Sequence, residues 1–276
     1  MKRYGVSEDA LKHVVCHRTS SPIVVDGDLG KPAWKDVPRS SRFVDMVSGE
    51  PALYETRMAC RWDATHLYVA YWNEEPQVSA TLTERDSFIW VDNDVELFVG
   101  GDDCYYEVEI NALGTIYEVL LVWQDALERG SRFDRPELDL YGGRVDILGG
   151  FQDAGRWGRH PRGRRWAFLD YDLAGLETGV RVQGKINDPS TVDKGWTVEM
   201  ALPWASLAFL FDGRAFPPRD GETLRCDFSR FEALRLHGRP VAENPGWSLN
   251  LHGAYDSHIP ECFSVVHFSE KTAEAT

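Results

Sequence analysis

Carboxylate and amide side chains occupy alternate positions in two segments of the chain. In the first segment they are Glu107, Glu109 and Asn111, and in the second they include Gln183 and Asn187. Such groups can bond the hydroxyl rim of a sugar, and flat aromatic side chains can cover its apolar C–H faces. The chain also contains 10 Trp, 10 Tyr and 13 Phe residues. A sheet face so rich in amides and carboxylates is unusual for solvation alone, so it is a candidate lining for a groove that binds a sugar; the alternative is a solvated polar face.

The same carboxylates raise the alternative of catalysis. Glycoside cleavage needs two carboxyl groups roughly 5 to 10 Å apart. Glu107 and Glu109 lie two strand positions apart at about 3.3 Å per residue, which reaches the lower part of that range, and Glu96 adds a third acid. The sequence has no nucleophile elbow, phosphate-binding loop or dinucleotide fingerprint. We therefore predict binding without catalysis, assign no catalytic residue, and keep a glycoside hydrolase or lyase-like enzyme as the alternative.

An acidic turn at Asp92, Asn93 and Asp94 is followed by Glu96. Calcium takes about six to eight oxygen ligands, often from such loops. The spacing differs from that of an EF-hand, and acidic turns commonly face only solvent. Asp92 and Asp94 are nevertheless the candidate ligands of a structural calcium ion, and no other cofactor is predicted.

The composition narrows the class of protein. Asp and Glu total 44 of the 276 residues and Lys and Arg total 30, which gives a formal charge of −14. A nucleic-acid binder would need a positive face, so the charge balance predicts no nucleic-acid partner. Apolar residues make up 43% of the chain, which is enough for a sizeable core. No run approaches the roughly 18 to 20 apolar residues that a membrane span requires.

Cysteine usage and the first residues bear on the compartment. The five cysteines are widely and irregularly spaced, which is typical of reduced thiols rather than of a disulfide framework. The first 19 residues begin with positive charge but contain no apolar stretch long enough for a secretory signal. We therefore expect a cytoplasmic protein, or a secreted one if a signal has been removed.

Period-2 alternation of apolar and polar residues dominates the sequence. It recurs at 56–62, 94–99, 105–111, 180–187 and 196–202. Half-buried strands produce this pattern because successive side chains point to opposite faces of a sheet. Many such strands predict an all-β fold, a β-sandwich or jelly roll. Short helices are expected over 6–13 and over 203–210, where Pro can occupy the first position.

The segment 124–179 is rich in Gly and Arg and has weak periodicity, so we interpret it as a long insertion. Within it, residues 156–166 carry five arginines and no acid. Arginine bonds carboxylates and sulfates bidentately, so one hypothesis is that this loop binds an acidic sugar or closes over the groove. The alternatives are a solvated loop or a contact with another subunit. The predicted organisation is given by three ranges: an extension at 1–22, a single β-sandwich at 23–268 and a tail at 269–276.

Several short motifs then line up in chain order. WVDNDVELF at 90–98, YYEVEINALG at 105–114 and GWTVEMALPW at 195–204 are the longest of them. They resemble carbohydrate-binding module family 9, within the wider group of DOMON-like β-sandwiches. Shorter matches at 25–34 and 61–69 and a closing strand at 258–266 extend the resemblance over most of the chain.

The resemblance implies a β-sandwich that holds a mono- or oligosaccharide between two tryptophans, with structural calcium ions supporting the fold. By position, Trp90 matches the first stacking tryptophan and Trp247 the second. Glu109 replaces a basic residue of the family, so the hydrogen-bonding pattern must differ. The residues that match the sugar-binding positions are Trp90, Glu96, Glu109, Asn111, Gln183, Asn244 and Trp247.

Some DOMON-like relatives hold haem instead of sugar, so haem binding is a third hypothesis. Haem would need axial Met, His or Lys side chains inside the sandwich. Met58 and His66 are conceivable ligands, but Met58 alternates with apolar residues and is more simply a packing residue. Carbohydrate binding remains the prediction.

Overall fold

A computed structural model of the chain describes residues 6–20, 22–149, 160–236 and 239–272. Within these ranges most of the regular structure is β-strand, and the helices have only three or four residues. The all-β prediction is therefore confirmed. Among the described residues, no helix has both the length and the apolar character needed to cross a membrane.

The described residues form sixteen strands. They are β1 (His13–Arg18), β2 (Val44–Asp45), β3 (Thr56–Trp62), β4 (His66–Glu74), β5 (Asp94–Gly100), β6 (Cys104–Asn111), β7 (Ile116–Trp123), β8 (Val145–Leu148), β9 (Arg165–Phe168), β10 (Glu177–Gln183), β11 (Gly195–Pro203), β12 (Thr223–Phe231), β13 (Arg235–Leu236), β14 (Arg239–Pro240), β15 (Gly246–Ser248) and β16 (Ser264–Ser269).

Helical structure is confined to short turns. The predicted helix over 203–210 is confirmed, since an α-helix follows Pro203 and continues as a 3-10 turn. The predicted helix over 6–13 is wrong except for one 3-10 turn, because the backbone from His13 onward pairs with β16. The helical segments are α1 (Pro32–Lys35), α2 (Trp204–Leu207) and the 3-10 turns Glu8–Ala10, Ile89–Val91, Pro136–Leu138, Ala208–Leu210 and Pro260–Cys262.

Twelve strands follow one continuous hydrogen-bonded path. Their order is β10-β11-β4-β3-β1-β16-β12-β5-β6-β7-β9-β8. β1 joins the two halves of this path, because it runs parallel to β3 on one side and to β16 on the other. β15 pairs with β12 and β2, while β13 and β14 form a separate hairpin.

The two halves of the path face each other across one large apolar core. Tyr71 of β4 shows the contact, because its ring lies 6.4 Å from that of Phe228 on β12 and its hydroxyl donates to the carbonyl of Glu96 on β5 over 2.7 Å. Core residues come from both halves, including Met58 of β3 and Leu97 of β5. All five cysteines are buried as free thiols, as their number and spacing predicted. This arrangement is the predicted sandwich.

The alternation in β5 and β6 separates two faces of the sheet. Val95, Leu97 and Val99 of β5 point into the main core, with no exposed surface. The intervening Asp94 and Glu96 lie on the opposite face, and they are buried as well. The sheet therefore has two covered faces here, one apolar and one acidic.

The Gly- and Arg-rich segment 124–179 adds strands to the sheet. β9 pairs antiparallel with β7, and β8 pairs with β9 as the last strand of the path. Residues 150–159, which include Arg156 and Arg159, lie outside the described residues. The described part of this segment therefore extends the β-sheet beside the acidic face, through β8 and β9.

Candidate functional site

A cavity of about 450 Å³ opens over the acidic face of the sheet. Its floor comes from β5, β6, β7 and β9, and its walls come from the turn that holds Trp90 and from the segment 255–258. This volume falls within the range of about 300 to 1,000 Å³ typical of small-molecule sites.

Trp90 stands at the edge of this cavity as a half-exposed aromatic platform. It belongs to the 3-10 turn Ile89–Val91, which is anchored by the fully buried Ile89. Trp90 is 41% exposed, stacks on Phe88 with 4.5 Å between ring centroids, and meets the edge of Tyr117 at 5.3 Å. These neighbours fix the indole while leaving part of it open to a ligand.

The floor carries three buried glutamates. Glu96 of β5 and Glu109 of β6 are directly opposite each other in the antiparallel ladder, and Glu107 follows two positions along the same face. Their exposed fractions are only 2% to 3%. Asp94 lies behind them on β5 with no exposed surface. One carboxylate oxygen each from Asp94, Glu96 and Glu109 lies within 4.8 Å of the others.

The environment disfavours ionisation of these acids. Burial, followed by repulsion from neighbouring carboxylates, raises the pKa of Asp94, Glu107 and Glu109 well above their usual values. Burial also raises the pKa of Glu96 to about 7, although its carboxylate accepts hydrogen bonds from the hydroxyls of Ser229 and Ser257. Perturbed acids of this kind are typical of functional sites.

Arg165 and His258 supply the other polar groups of the cavity. Arg165 is buried on β9, lies over the ring of Trp123 at 4.9 Å, and donates to the carbonyl of His258 over 3.4 Å. Burial and the neighbouring positive charge of Arg165 lower the pKa of His258 to about 3. His258 is therefore neutral near physiological pH, with its Nδ1 3.9 Å from the Glu107 carboxylate.

The two predicted calcium ligands are held in different roles. Asp92 accepts hydrogen bonds from the backbone N–H groups of Thr81 and Leu82 and from the Thr81 hydroxyl, so it fixes a loop. Asp94 instead joins Glu96 and Glu109. The acids that cluster in the folded chain are therefore Asp94, Glu96 and Glu109, and Asp92 is not among them. Residues that are close in sequence need not lie on the same face of a sheet.

Four other sequence-predicted residues do not line the cavity, and the structure describes all four. Asn111 accepts from the backbone N–H groups of Leu113 and Thr115 and so stabilises the turn between β6 and β7. Trp247 lies in the core with 2% exposure. Gln183 ends β10 at the far end of the strand path, and Asn244 is exposed before β15.

The two residues considered as haem ligands are also placed. Met58 has no exposed surface and packs within the main core. His66 begins β4, and its ring Nδ1 lies 2.8 Å from the hydroxyl of Thr65. Both have ordinary structural surroundings.

Sequence reasoning missed several residues of the cavity. Phe88 lies two positions before Trp90, so the aromatic pair was visible in principle. Arg165 was visible only as a member of an arginine-rich run. Tyr255 and Ser257 carried no signal, because the segment 255–258 meets β5 and β6 only in the folded chain. His258 was visible only as the first residue of the closing match at 258–266.

No family model and no curated protein matches this sequence. Solved structures do match its fold. A "putative carbohydrate-binding protein" from Bacteroides uniformis is 15% identical, with a TM-score of 0.57 over 94% of this chain and 99% of the other. A carbohydrate-binding module of family 9 from Caldicellulosiruptor kristjanssonii in complex with cellotriose is 14% identical, with a TM-score of 0.52 over 96% and 97%.

A carbohydrate-binding module of family 9 from Caldicellulosiruptor kristjanssonii in complex with glucose is 13% identical, with a TM-score of 0.51 over 95% of this chain and 98% of the other. The coverage is nearly complete in each comparison, so the likeness extends over the whole sandwich. The chain has the fold of carbohydrate-binding module family 9, as the motifs predicted. At this level of identity the likeness establishes the fold alone.

Proposed function

We propose that this protein binds a saccharide in the cavity beside Trp90. The observation that carries the proposal is the juxtaposition of a 41% exposed, rigidly stacked indole with a floor of buried carboxylates. An aromatic face and a set of hydrogen-bond acceptors are the two surfaces that a sugar ring needs. Solved modules that share this fold were obtained with cellotriose and with glucose.

The ligand class follows from the charge of the floor. Glu96, Glu107 and Glu109 offer oxygen acceptors for hydroxyl donors, and any of them that is ionised would repel a carboxylate or sulfate. Arg165 is the one basic side chain of the described lining; its guanidinium lies over Trp123 and donates one hydrogen bond to the His258 carbonyl. We therefore propose a neutral mono- or oligosaccharide rather than the acidic sugar that the arginine-rich run suggested.

The second stacking surface is proposed to differ from the one that the motifs suggested. Trp247 is buried, whereas Phe231 and Tyr255 line the cavity and pack edge to face at 5.3 Å. We propose that Trp90 provides the main platform and that this second aromatic pair bounds the ligand elsewhere.

Glycoside cleavage is a second candidate function, favoured by one observation. Glu96, Glu107 and Glu109 share one cavity, and the pKa of Glu96 is raised to about 7, as is common for general acids. Cleavage also requires a partner carboxylate that stays ionised, whereas burial raises the pKa of Glu107 and Glu109 too. Binding without turnover is therefore the better supported function.

The test is a calorimetric titration of the full chain with glucose, cellobiose, cellotriose and glucuronate, followed by product analysis. We expect saturable binding of at least one neutral sugar, no binding of glucuronate and no new products. Absence of heat with every sugar would refute the proposal. Turnover would establish the glycosidase, with Glu96, Glu107 and Glu109 as the residues to substitute.

A further inference from the structure

Two buried carboxylate oxygens beneath the cavity accept no hydrogen bond from an N–H or hydroxyl group, and the carboxyl groups that carry them lie within hydrogen-bonding reach of each other. They are Oδ2 of Asp94 and Oε2 of Glu109. Asp94 has no exposed surface and Glu109 has 2%. Together with Glu96 they bring three carboxylates within 4.8 Å, and among the described residues none of the three forms an ion pair with Lys or Arg. Buried charges are normally paired or bound to a metal.

The geometry and chemistry of these oxygens suit a hard divalent cation. Calcium binds carboxylate oxygens at about 2.3 to 2.6 Å, so two oxygens on one ion are at most about 5 Å apart. One carboxylate oxygen from each of the three residues lies within 4.8 Å of the others, so a single ion can reach all three. The donors are all oxygen, which favours calcium over metals that prefer thiolate or imidazole ligands.

We propose that Asp94, Glu96 and Glu109 hold a calcium-type divalent cation at the floor of the cavity, where its free coordination positions meet the sugar. The contact between the ion and the sugar rests on the proposed function. Glu96 and Glu109 line the cavity and Asp94 lies behind them, which places the ion at the cavity surface. Three carboxylates leave about three or more of the six to eight positions for water or sugar hydroxyls.

Protonation is the alternative way to neutralise the carboxylates of this cluster. Burial and mutual repulsion raise the pKa of Asp94 and Glu109 well above the usual value, and a carboxyl–carboxylate hydrogen bond can form when one group keeps its proton. Cation binding and protonation can be distinguished by experiment. A cation site responds to added calcium at fixed pH, whereas a cluster held neutral by protons does not.

The first experiment titrates calcium chloride into EDTA-treated, dialysed full-length protein at about pH 7.5, up to about 10 mM, above the weakest affinities of calcium modules. We expect one calcium per chain and a calcium-dependent rise in melting temperature. Asp94→Asn and Glu109→Gln, which keep the side-chain shapes, should lose both responses. Asp146→Asn is the matched control, since Asp146 lines the same cavity outside the cluster. No heat with the wild type, or equal responses in all variants, would overturn the cation site.

The second experiment titrates the best sugar of the panel in calcium and in EDTA. We expect affinity at least about tenfold lower in EDTA, because the ion would bond the ligand directly. Equal affinity in both buffers would overturn the coupling and leave the proposed function standing. Calcium binding without any sugar binding would leave the cation site standing and refute the proposed function. Folding of each variant is checked by circular dichroism, so that a lost response reports on the site.

Discussion

Glu96 lies directly opposite Glu109 across the β5–β6 ladder, and both side chains are almost completely buried. Like charges that face each other across a sheet destabilise it, and burial increases the cost. An apolar pair would pack at these positions without that cost. The pair therefore supports the proposal that this face of the sheet binds a ligand, and the predictions below test that proposal.

Replacing Trp90 should weaken sugar binding without unfolding the protein. Trp90→Ala removes the platform, and we expect a loss of about 1.4 kcal/mol or more, which is tenfold in Kd. Because Trp90 is 41% exposed, the melting temperature should change little. Calorimetry and thermal melts measure the two effects. Tyr141→Ala is the control, since Tyr141 is 95% exposed and does not line the cavity. Wild-type affinity in Trp90→Ala would contradict the proposed site.

Trp247 should behave in the opposite way. It is buried in the core, packs edge to face against Tyr54 at 5.8 Å, and lies 5.2 Å from the guanidinium of Arg230. Trp247→Ala should cost about 3 to 5 kcal/mol of folding free energy, as large core truncations do. Urea unfolding measures this loss. If Trp247→Phe, which keeps more of the packing, lost sugar binding while remaining folded, Trp247 would be a ligand residue after all.

Relieving the acidic pair should stabilise the metal-free protein. Because burial and repulsion raise the pKa of Glu109, this group costs folding free energy at any pH above the ordinary glutamate pKa. Glu109→Gln removes that cost, so we expect the free energy of unfolding in EDTA to rise by about 1 kcal/mol. Denaturant titration at about pH 8, where the unfolded carboxyls are ionised, measures the change. A lower stability than wild type would show that Glu109 is bound favourably within the fold.

Glu118→Gln is the contrasting variant for that experiment. Glu118 is also fully buried, but it accepts a hydrogen bond from the backbone of Leu173, is bonded to Tyr106 and pairs with Arg85. Burial raises the pKa of Glu118 despite these partners, so loss of the charge alone is not what costs stability. Gln would place an amide N–H group against the guanidinium of Arg85, and we therefore expect a loss of about 1 to 3 kcal/mol. Opposite signs for the two variants would separate a functional carboxylate from a structural one.

His252 should make stability depend on pH. Burial alone would lower its pKa, but the charge and hydrogen bond of Asp227 and the carbonyl of Asp256 outweigh burial and raise it above 6.5. A raised pKa contributes stability that is fully present below the ordinary value of 6.5 and is lost as pH rises through the folded-state value. The stability difference between wild type and His252→Gln should therefore shrink as pH rises.

The measurement is urea unfolding of both proteins from about pH 5.5 to 9, a span that covers the ordinary histidine pKa. Glu96, whose pKa is raised to about 7, interacts with the same buried histidine, so the wild-type curve alone would mix the titration of Glu96 with that of His252. The difference between the two proteins isolates His252. A difference that is constant or grows with pH would contradict the assigned sign.

Local sequence determined the strands and the motifs of this protein. The alternation at 94–99 and 105–111 predicted two faces of β5 and β6, because successive side chains on a strand must point in opposite directions. The same local rule placed Glu107 and Glu109 on one face. The motif around Trp90 contributed to the predicted fold, and the structure shows that the Trp90 side chain is partly exposed, as a ligand platform requires.

Only the tertiary structure decided which polar and aromatic residues meet. Periodicity cannot distinguish Trp90 from Trp247, since exposure depends on strands and loops that pack from distant parts of the chain. Asp92 and Asp94 look equivalent in sequence. In the structure Asp92 accepts hydrogen bonds from the loop at 81–82, whereas Asp94 belongs to the acidic cluster. Long-range pairing likewise brought β9 of the segment 124–179 beside β7, where Arg165 enters the cavity. Local pattern sets the face of a side chain, and long-range contacts set what that face meets.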